Sequence, residues 1–291
     1  MPSVGTLVRQ RLADQRDALR AAEADVRLGG ETGVHDLRVA MRRLRSLLAT
    51  FRPVFDASVT EPVRTELKQA SLQLGESRDA EVAVDMTERL LAHLGADGLD
   101  EEAVAGLRAR LRLDATAAGD VVEETLASTR YAATAILVDE LVSHPPLTDE
   151  AQREARSAAR KRLRHEGRRL TERVEAARAA TDADERAALL HEVRKSAKRL
   201  RYAAETAAPV TGKRVHRIGT RAKRVQSAIG LHHDAVMTRA MLRHLALDEA
   251  VGESAAFLLG HLDADEQRLL ATVEEDAWSA IGELEEELRD F

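Results

Sequence analysis

Val34 to Phe51 reads VHDLRVAMRRLRSLLATF, and Leu190 to Ala207 reads LHEVRKSAKRLRYAAETA. In each run a histidine leads a set of cations at fixed intervals: His35, Arg38, Arg42 and Arg45 in the first, and His191, Arg194, Lys198 and Arg201 in the second, 156 positions later. A guanidinium fork gives paired, charge-assisted hydrogen bonds to phosphate-type oxygens and stays protonated at working pH. A neutral imidazole adds one donor, a protonated one two. The chemistry on offer is multidentate capture of an anion, and two copies of one basic run point to one ligand held from two sides.

A helix is the element that can position these groups. At 100° per residue Leu37, Ala40, Met41, Leu44, Leu47, Leu48 and Phe51 share one flank, the spacing of a core-facing stripe. The cations form a second stripe roughly 130° away. Two further basic rows lie in the second half. Arg153, Arg156, Arg160 and Arg164 recur at helical spacing beside Lys161 and Arg168. Lys213, Arg214, Arg217, Arg221, Lys223 and Arg224 surround an apolar line of Val215, Ile218, Ala222, Val225 and Ile229. From these rows Arg160, Arg164, Lys213, Arg217, Lys223 and Arg224 are expected to extend the anion track. Like charges stacked along one helix face repel, so each row needs neutralising by a ligand or by the chain's own carboxylates. For any single arginine the ion pair is the commoner outcome; the repetition of the motif favours the ligand.

The charge distribution sharpens that choice. The net charge of −6 conceals a block at residues 151 to 243 with 24 basic and 10 acidic side chains, and a block at 244 to 291 with 2 and 14. A basic segment flanked by acidic ones fits a confined anion site on an acidic protein, and equally a lattice of interhelical ion pairs. The 291 residues suit one large or two mid-sized domains, and the richness in Ala, Leu, Arg and Glu with only 2% aromatics predicts an all-α fold. No cysteine is present, which excludes disulfides, thiolate metal sites and cysteine nucleophiles and fits a reducing compartment. No stretch is apolar enough to span a bilayer and the opening residues lack an apolar signal core, so a cytoplasmic protein with no membrane partner is expected.

Breaker residues place turns near Gly29 to Gly33, Pro53, Gly75 to Ser77, Gly95 to Gly98, Pro145-Pro146, Thr181 to Asp184, Pro209 to Gly212, Gly230 to His232 and Gly252. Pro145-Pro146 is the midpoint, followed by Thr148 and Asp149 as caps of the next helix. The repeat runs beyond the basic helices: RQRL at Arg9 matches RKRL at Arg160, and LKQASLQLGESRDA at Leu67 matches AKRVQSAIGLHHDA at Ala222, pairing Gly75 with Gly230 and Asp79 with Asp234. We therefore expect two related helical bundles, residues 1–146 and 147–291, packed about an approximate two-fold axis.

The histidines are expected near helix N-termini, where free backbone N–H groups favour an anion. Asp79 and Asp234 are expected to cap the helices that follow Gly75 and Gly230 or to orient a neighbouring arginine. His232-His233-Asp234 is a weak metal candidate, because adjacent residues on a turn rarely converge on one ion. No paired acid and base, nucleophile elbow or phosphate-cradling glycine loop is visible, so no enzyme activity and no cofactor are expected.

With these residues in view, His35 to Phe51 and His191 to Glu205 resemble the two signature helices of the CHAD family, the conserved histidine α-helical domain. LGESRDAEVAV and IGLHHDAVMTR resemble the segment that follows each signature. The likeness covers essentially the whole chain. It implies two helical bundles with an approximate two-fold relation and a basic surface that binds inorganic polyphosphate, with polyphosphate granules as an implied location. Some members are fused to a CYTH triphosphatase domain, whose E-x-E-x-K motif does not occur here. The first half is poorer in cations, with Arg64 and Lys68 where the second half has a dense cluster, so the ligand track is expected to lean toward the second half. Two rival readings are a nucleic-acid backbone binder, with nucleic acid otherwise a weaker competitor, and a phosphohydrolase of the same ligand. Scarce aromatics argue against base stacking on single strands, and no carboxylate cluster is evident from spacing.

Overall fold

Helix-forming residues run in long uninterrupted stretches, and the chain folds accordingly. A computed structural model describes residues 2–30, 32–94, 101–247, 253–289 and 291. Among them are α1 (Val4–Arg27), α2 (Gly33–Thr50), α3 (Ala57–Leu94), α4 (Glu101–Ala127), α5 (Thr129–Ser143), α6 (Ala155–Ala179), α7 (Ala183–Thr211), α8 (Lys213–Ala246) and α9 (Glu253–Arg289), with 3₁₀ turns at Arg52–Val54 and Asp149–Gln152. The described residues contain no strand beyond two isolated bridges, and the protein is all-α. Side-chain caps start several helices: Ser3, Ser128, Glu154 and Asp182 accept from the backbone N–H three residues on.

The predicted apolar stripes are the core. Leu37, Ala40, Met41, Leu44, Leu47, Leu48 and Phe51 are all buried, joining residues of α1, α3, α4 and α5 in one cluster. Leu163, Leu170, Val193, Leu200, Val215, Ile218, Ala222, Val225, Ile229 and Leu284 form a second cluster among α6 to α9. Fully burying a Leu or Ile removes enough apolar surface from water to contribute about 1.5–3 kcal/mol, so each cluster holds its own helices together. The connection between them is anchored to the first helices: Val4 N–H donates to the Arg153 carbonyl, Ala155 N–H to the Pro2 carbonyl, and Thr148 N–H to the Val54 carbonyl. Across the junction α2 packs on α7, and α1 on α6 and α7.

Several predicted boundaries move. Helices α3 and α8 run straight through Gly75 and Gly230, so neither glycine ends a helix and no new helix begins at Asp79 or Asp234. The side chain of Asp79 lies outside the described residues, as do the predicted turns at Gly95 to Gly98 and Gly252. Helix α7 begins at Ala183 behind an Asp182 cap, which puts His191 beyond two turns of helix, past the reach of the terminal dipole. Helix α7 also continues through Pro209 and stops at Gly212, whose φ of 91° lies in the left-handed region. Thr148 precedes the 3₁₀ turn without a capping bond, and Glu154 caps α6 instead.

Candidate anion-binding site

Packing α2 on α7 brings the two basic runs together. Lys198 is half-buried at this seam, and its charge interacts with Arg42 and Arg38 of α2 and with Arg194 and Arg201 of its own helix. Loss of hydration comes first and these four cations second in holding its pKa down to about 7. One turn along, burial followed by the charges of Arg64, Arg42 and Arg199 lowers the pKa of Arg45. Cations from three helices, α2, α3 and α7, thus converge.

Local packing fixes how they sit. Gly75 lies against the Arg38 guanidinium, where a Cβ would stand 3.2 Å from an Arg38 terminal nitrogen. Gly230 stands in the same relation to Arg194, at 3.3 Å. Glycine in mid-helix costs about 1 kcal/mol against alanine, and here it makes room for a guanidinium laid across the helix backbone. Arg194 Nε also donates to the Gln226 carbonyl at 3.3 Å. Arg201 donates to Glu205 at 2.7 Å and to the Gln226 side chain at 3.2 Å. Arg43 lies 3.5 Å from the same Glu205, and Arg43 and Arg201 both approach the Tyr202 ring. The Arg201 end of the seam is therefore partly neutralised. The Arg45 end gains a further cation in Arg64, itself bonded to Glu61.

Donors at the seam go unused. The Nε atoms of Arg42, Arg45 and Arg64 are buried with no hydrogen-bond partner, as is that of Arg160 on α6.

The other predicted cations divide. Arg217 pairs with Glu287 at 3.0 Å, Arg224 with Glu283 at 2.7 Å, and Arg221 with the same Glu283. Asp263 pairs with Arg239 and Arg243, Glu274 with Arg186, and Glu285 with Arg178. The acidic C-terminal block folds back as α9 against the basic one, and Arg217 and Arg224 each hold one of its carboxylates. Arg164 donates to the Phe291 carbonyl at 3.1 Å and lies over the Phe291 ring, also against the end of α9. Lys213 and Lys223 are exposed on α8. Charge without a carboxylate partner among the described residues thus gathers at the α2 and α7 seam, and Arg160 on α6 and Lys213 and Lys223 on α8 are likewise outside the ion pairs.

The histidines part company. His35 is exposed in the first turn of α2. The His191 ring lies 4.7 Å from that of His233, and burial, then His233 and the nearby cations, lowers the His191 pKa. His232 is buried, near Glu274 and Arg186. Thus His232 and His233 face different surroundings, and no three metal-ligating side chains gather among the described residues. Sequence reading missed Arg43, Arg199 and Arg64 as members of the cluster. Arg43 and Arg199 were legible as paired members of the motif; nothing in the sequence places Arg64 beside Arg45.

This architecture recurs in solved structures. PptA from Streptomyces chartreusis superposes with a TM-score of 0.80 at 24% identity, covering 97% of this chain and all of that one. The CHAD domain from the plant Ricinus communis superposes with a TM-score of 0.73, also at 24% identity, over 96% of this chain and 92% of that one. In sequence the chain is 30% identical over 299 aligned positions to uncharacterised Mycobacterium tuberculosis proteins of two strains; it spans about half the length of these curated relatives, 54%, while 97% of this chain is matched. The family model of the CHAD domain matches residues 10–243, a stretch that holds both basic helices and the glycines beneath their arginines: the chain belongs to the CHAD family.

Proposed function

We propose that this protein binds inorganic polyphosphate along the α2 and α7 seam and does not turn it over. One observation carries the reading. Arg42, Arg45, Arg194, Lys198 and Arg199 come together with no ion pair to a carboxylate among the described residues, while α9 neutralises much of the basic surface of α8. A cluster of like charges is held against its own repulsion by the packing of two cores, and it is complementary to a flexible polyanion with one charge per repeating unit. Arg38 and Arg194, fixed over Gly75 and Gly230, are pre-ordered donors, so little side-chain entropy is lost when an anion arrives. The ligand class is the one that CHAD membership implies, and cytoplasmic polyphosphate granules are the location proposed with it.

The test has two arms. Incubation with long-chain polyphosphate and Mg²⁺ should retain the polymer on the protein with no phosphate release and no change of chain length; protein-dependent shortening would overturn the binding-only reading. Competition against duplex DNA at one fixed salt concentration should favour polyphosphate. Preference for DNA would assign the seam to a nucleic-acid backbone.

A further inference from the structure

Among the histidine and cation positions that the two basic helices share, one differs in type: α2 has Arg42 where α7 has Lys198. The difference matters chemically, because a guanidinium does not lose its proton in proteins whereas a buried ammonium does. We propose that the seam is proton-coupled: Lys198 stands as a neutral amine in the free protein and takes up one proton when polyphosphate binds. This rests on the polyphosphate reading above and adds a regulation of the same site.

Lys198 is half-buried where α2 packs on α7, and burial among like charges disfavours its charged form. Around Lys198 are Arg38 and Arg42 from α2, and Arg194 and Arg201 from α7 itself. Helix α8 turns an uncharged group, Gln226, to Arg194 and Arg201. The carboxylates of α7 on either side are engaged by other cations: Glu192 by Lys195 and by Arg173 of α6, and Glu205 by Arg201 and by Arg43. Near α1, Arg11 shares a small cleft with Glu205 and Arg43 and pairs with Asp14. Of the cations surrounding this point, only the lysine can shed its charge. With burial and four positive neighbours the amine titrates near neutrality, so in the free protein above that pH the cluster carries one charge fewer. Phosphate oxygens laid along the seam reverse the local field. The amine lone pair then accepts a proton from the buffer acid, and no bond in the polymer changes.

Two consequences follow in the window from pH 7.5 to 9, above the range where imidazoles and terminal phosphates titrate. Affinity falls as pH rises, by up to about tenfold per unit where one proton is bound. Calorimetric binding heats depend on the buffer's ionisation enthalpy.

The experiment is titration of the full chain with long-chain inorganic polyphosphate at pH 8, in HEPES and in Tris at equal ionic strength. Wild type is expected to take up nearly one proton per seam. Lys198→Arg, with a permanent charge, is expected to take up almost none and to show an affinity independent of pH across the window; Lys198→Met is expected to show the same loss of uptake. Binding by wild type without proton uptake, or uptake unchanged in both variants, overturns the inference while leaving polyphosphate binding standing. No binding at any pH overturns both. A helical spectrum and melt recorded for each variant keep a folding failure from passing as lost uptake, and because one substitution is permanently charged and the other neutral, agreement between them is decisive.

Discussion

Replacing Arg42, Arg45 and Arg199 together by glutamine separates a ligand site from a structural ion-pair network, because the two predict opposite signs for stability. None of the three is paired with a carboxylate among the described residues; Arg42 and Arg199 both act on Arg45, and Arg42 acts on Lys198 as well. Two unit charges about 7 Å apart at an effective dielectric near 40 repel by about 1 kcal/mol. Removing three from one cluster should leave the free protein as stable as before, or more stable by about 1–2 kcal/mol. Binding should move the other way. With each charge-assisted contact worth about 1 kcal/mol net at a solvent-accessible seam, losing three weakens polyphosphate by about 3 kcal/mol, roughly a hundredfold. The salt dependence should become shallower as fewer counterions are released. The matched control is Arg217→Gln with Arg221→Gln and Arg224→Gln, which removes the same charge from positions already paired with Glu283 and Glu287. Fluorescence-anisotropy titrations at several salt concentrations, with thermal melts of the free proteins, read both quantities. Equal affinity losses from both sets would refute a defined site in favour of diffuse attraction, and a large drop in melting temperature for the first set would refute the un-neutralised cluster itself.

Other outcomes follow from the same geometry. Glu283→Gln with Glu287→Gln should release the α8 arginines from their partners, tightening polyphosphate binding and steepening its salt dependence; unchanged affinity in the same titration would show that α8 is out of the ligand's reach. Gly75→Ala and Gly230→Ala should keep or raise the melting temperature through helix propensity while weakening binding, since the new methyl group displaces the Arg38 or Arg194 guanidinium; full affinity in both would count against pre-ordered donors. The stability of the free protein should rise from pH 7 to 9.5 by up to about 1 kcal/mol per unit, because the unfolded chain holds the Lys198 proton up to about pH 10.4 while the folded seam releases it near 7. Denaturant melts of Lys198→Met should lose that slope, and a persisting slope would place the titration elsewhere.

Much of this protein was written in its spacing. The stripe from Leu37 to Phe51 and the line from Val215 to Ile229 are buried as their helical phase requires, since a face that is apolar every third or fourth residue has one way to leave water. The cations of α2 and α7 were legible as a second phase on the same helices, and their repetition marked the pair of elements that meet. Gly75 and Gly230 were visible but misread: a glycine beside polar residues looks like a break, and only a guanidinium packed on it from another helix explains a glycine kept in mid-helix. Helix α7 began earlier than its histidine implied because the Asp182 cap, not the basic run, sets its start. Charge neutralisation was beyond the sequence altogether. Net charges of segments add along the chain, but Coulomb energy falls with distance in space. It took the fold-back of α9 onto α8 to show that Arg217, Arg221, Arg224, Arg239 and Arg243 are answered by carboxylates, and the packing of α2 on α7 to show that cations without such partners meet at one seam.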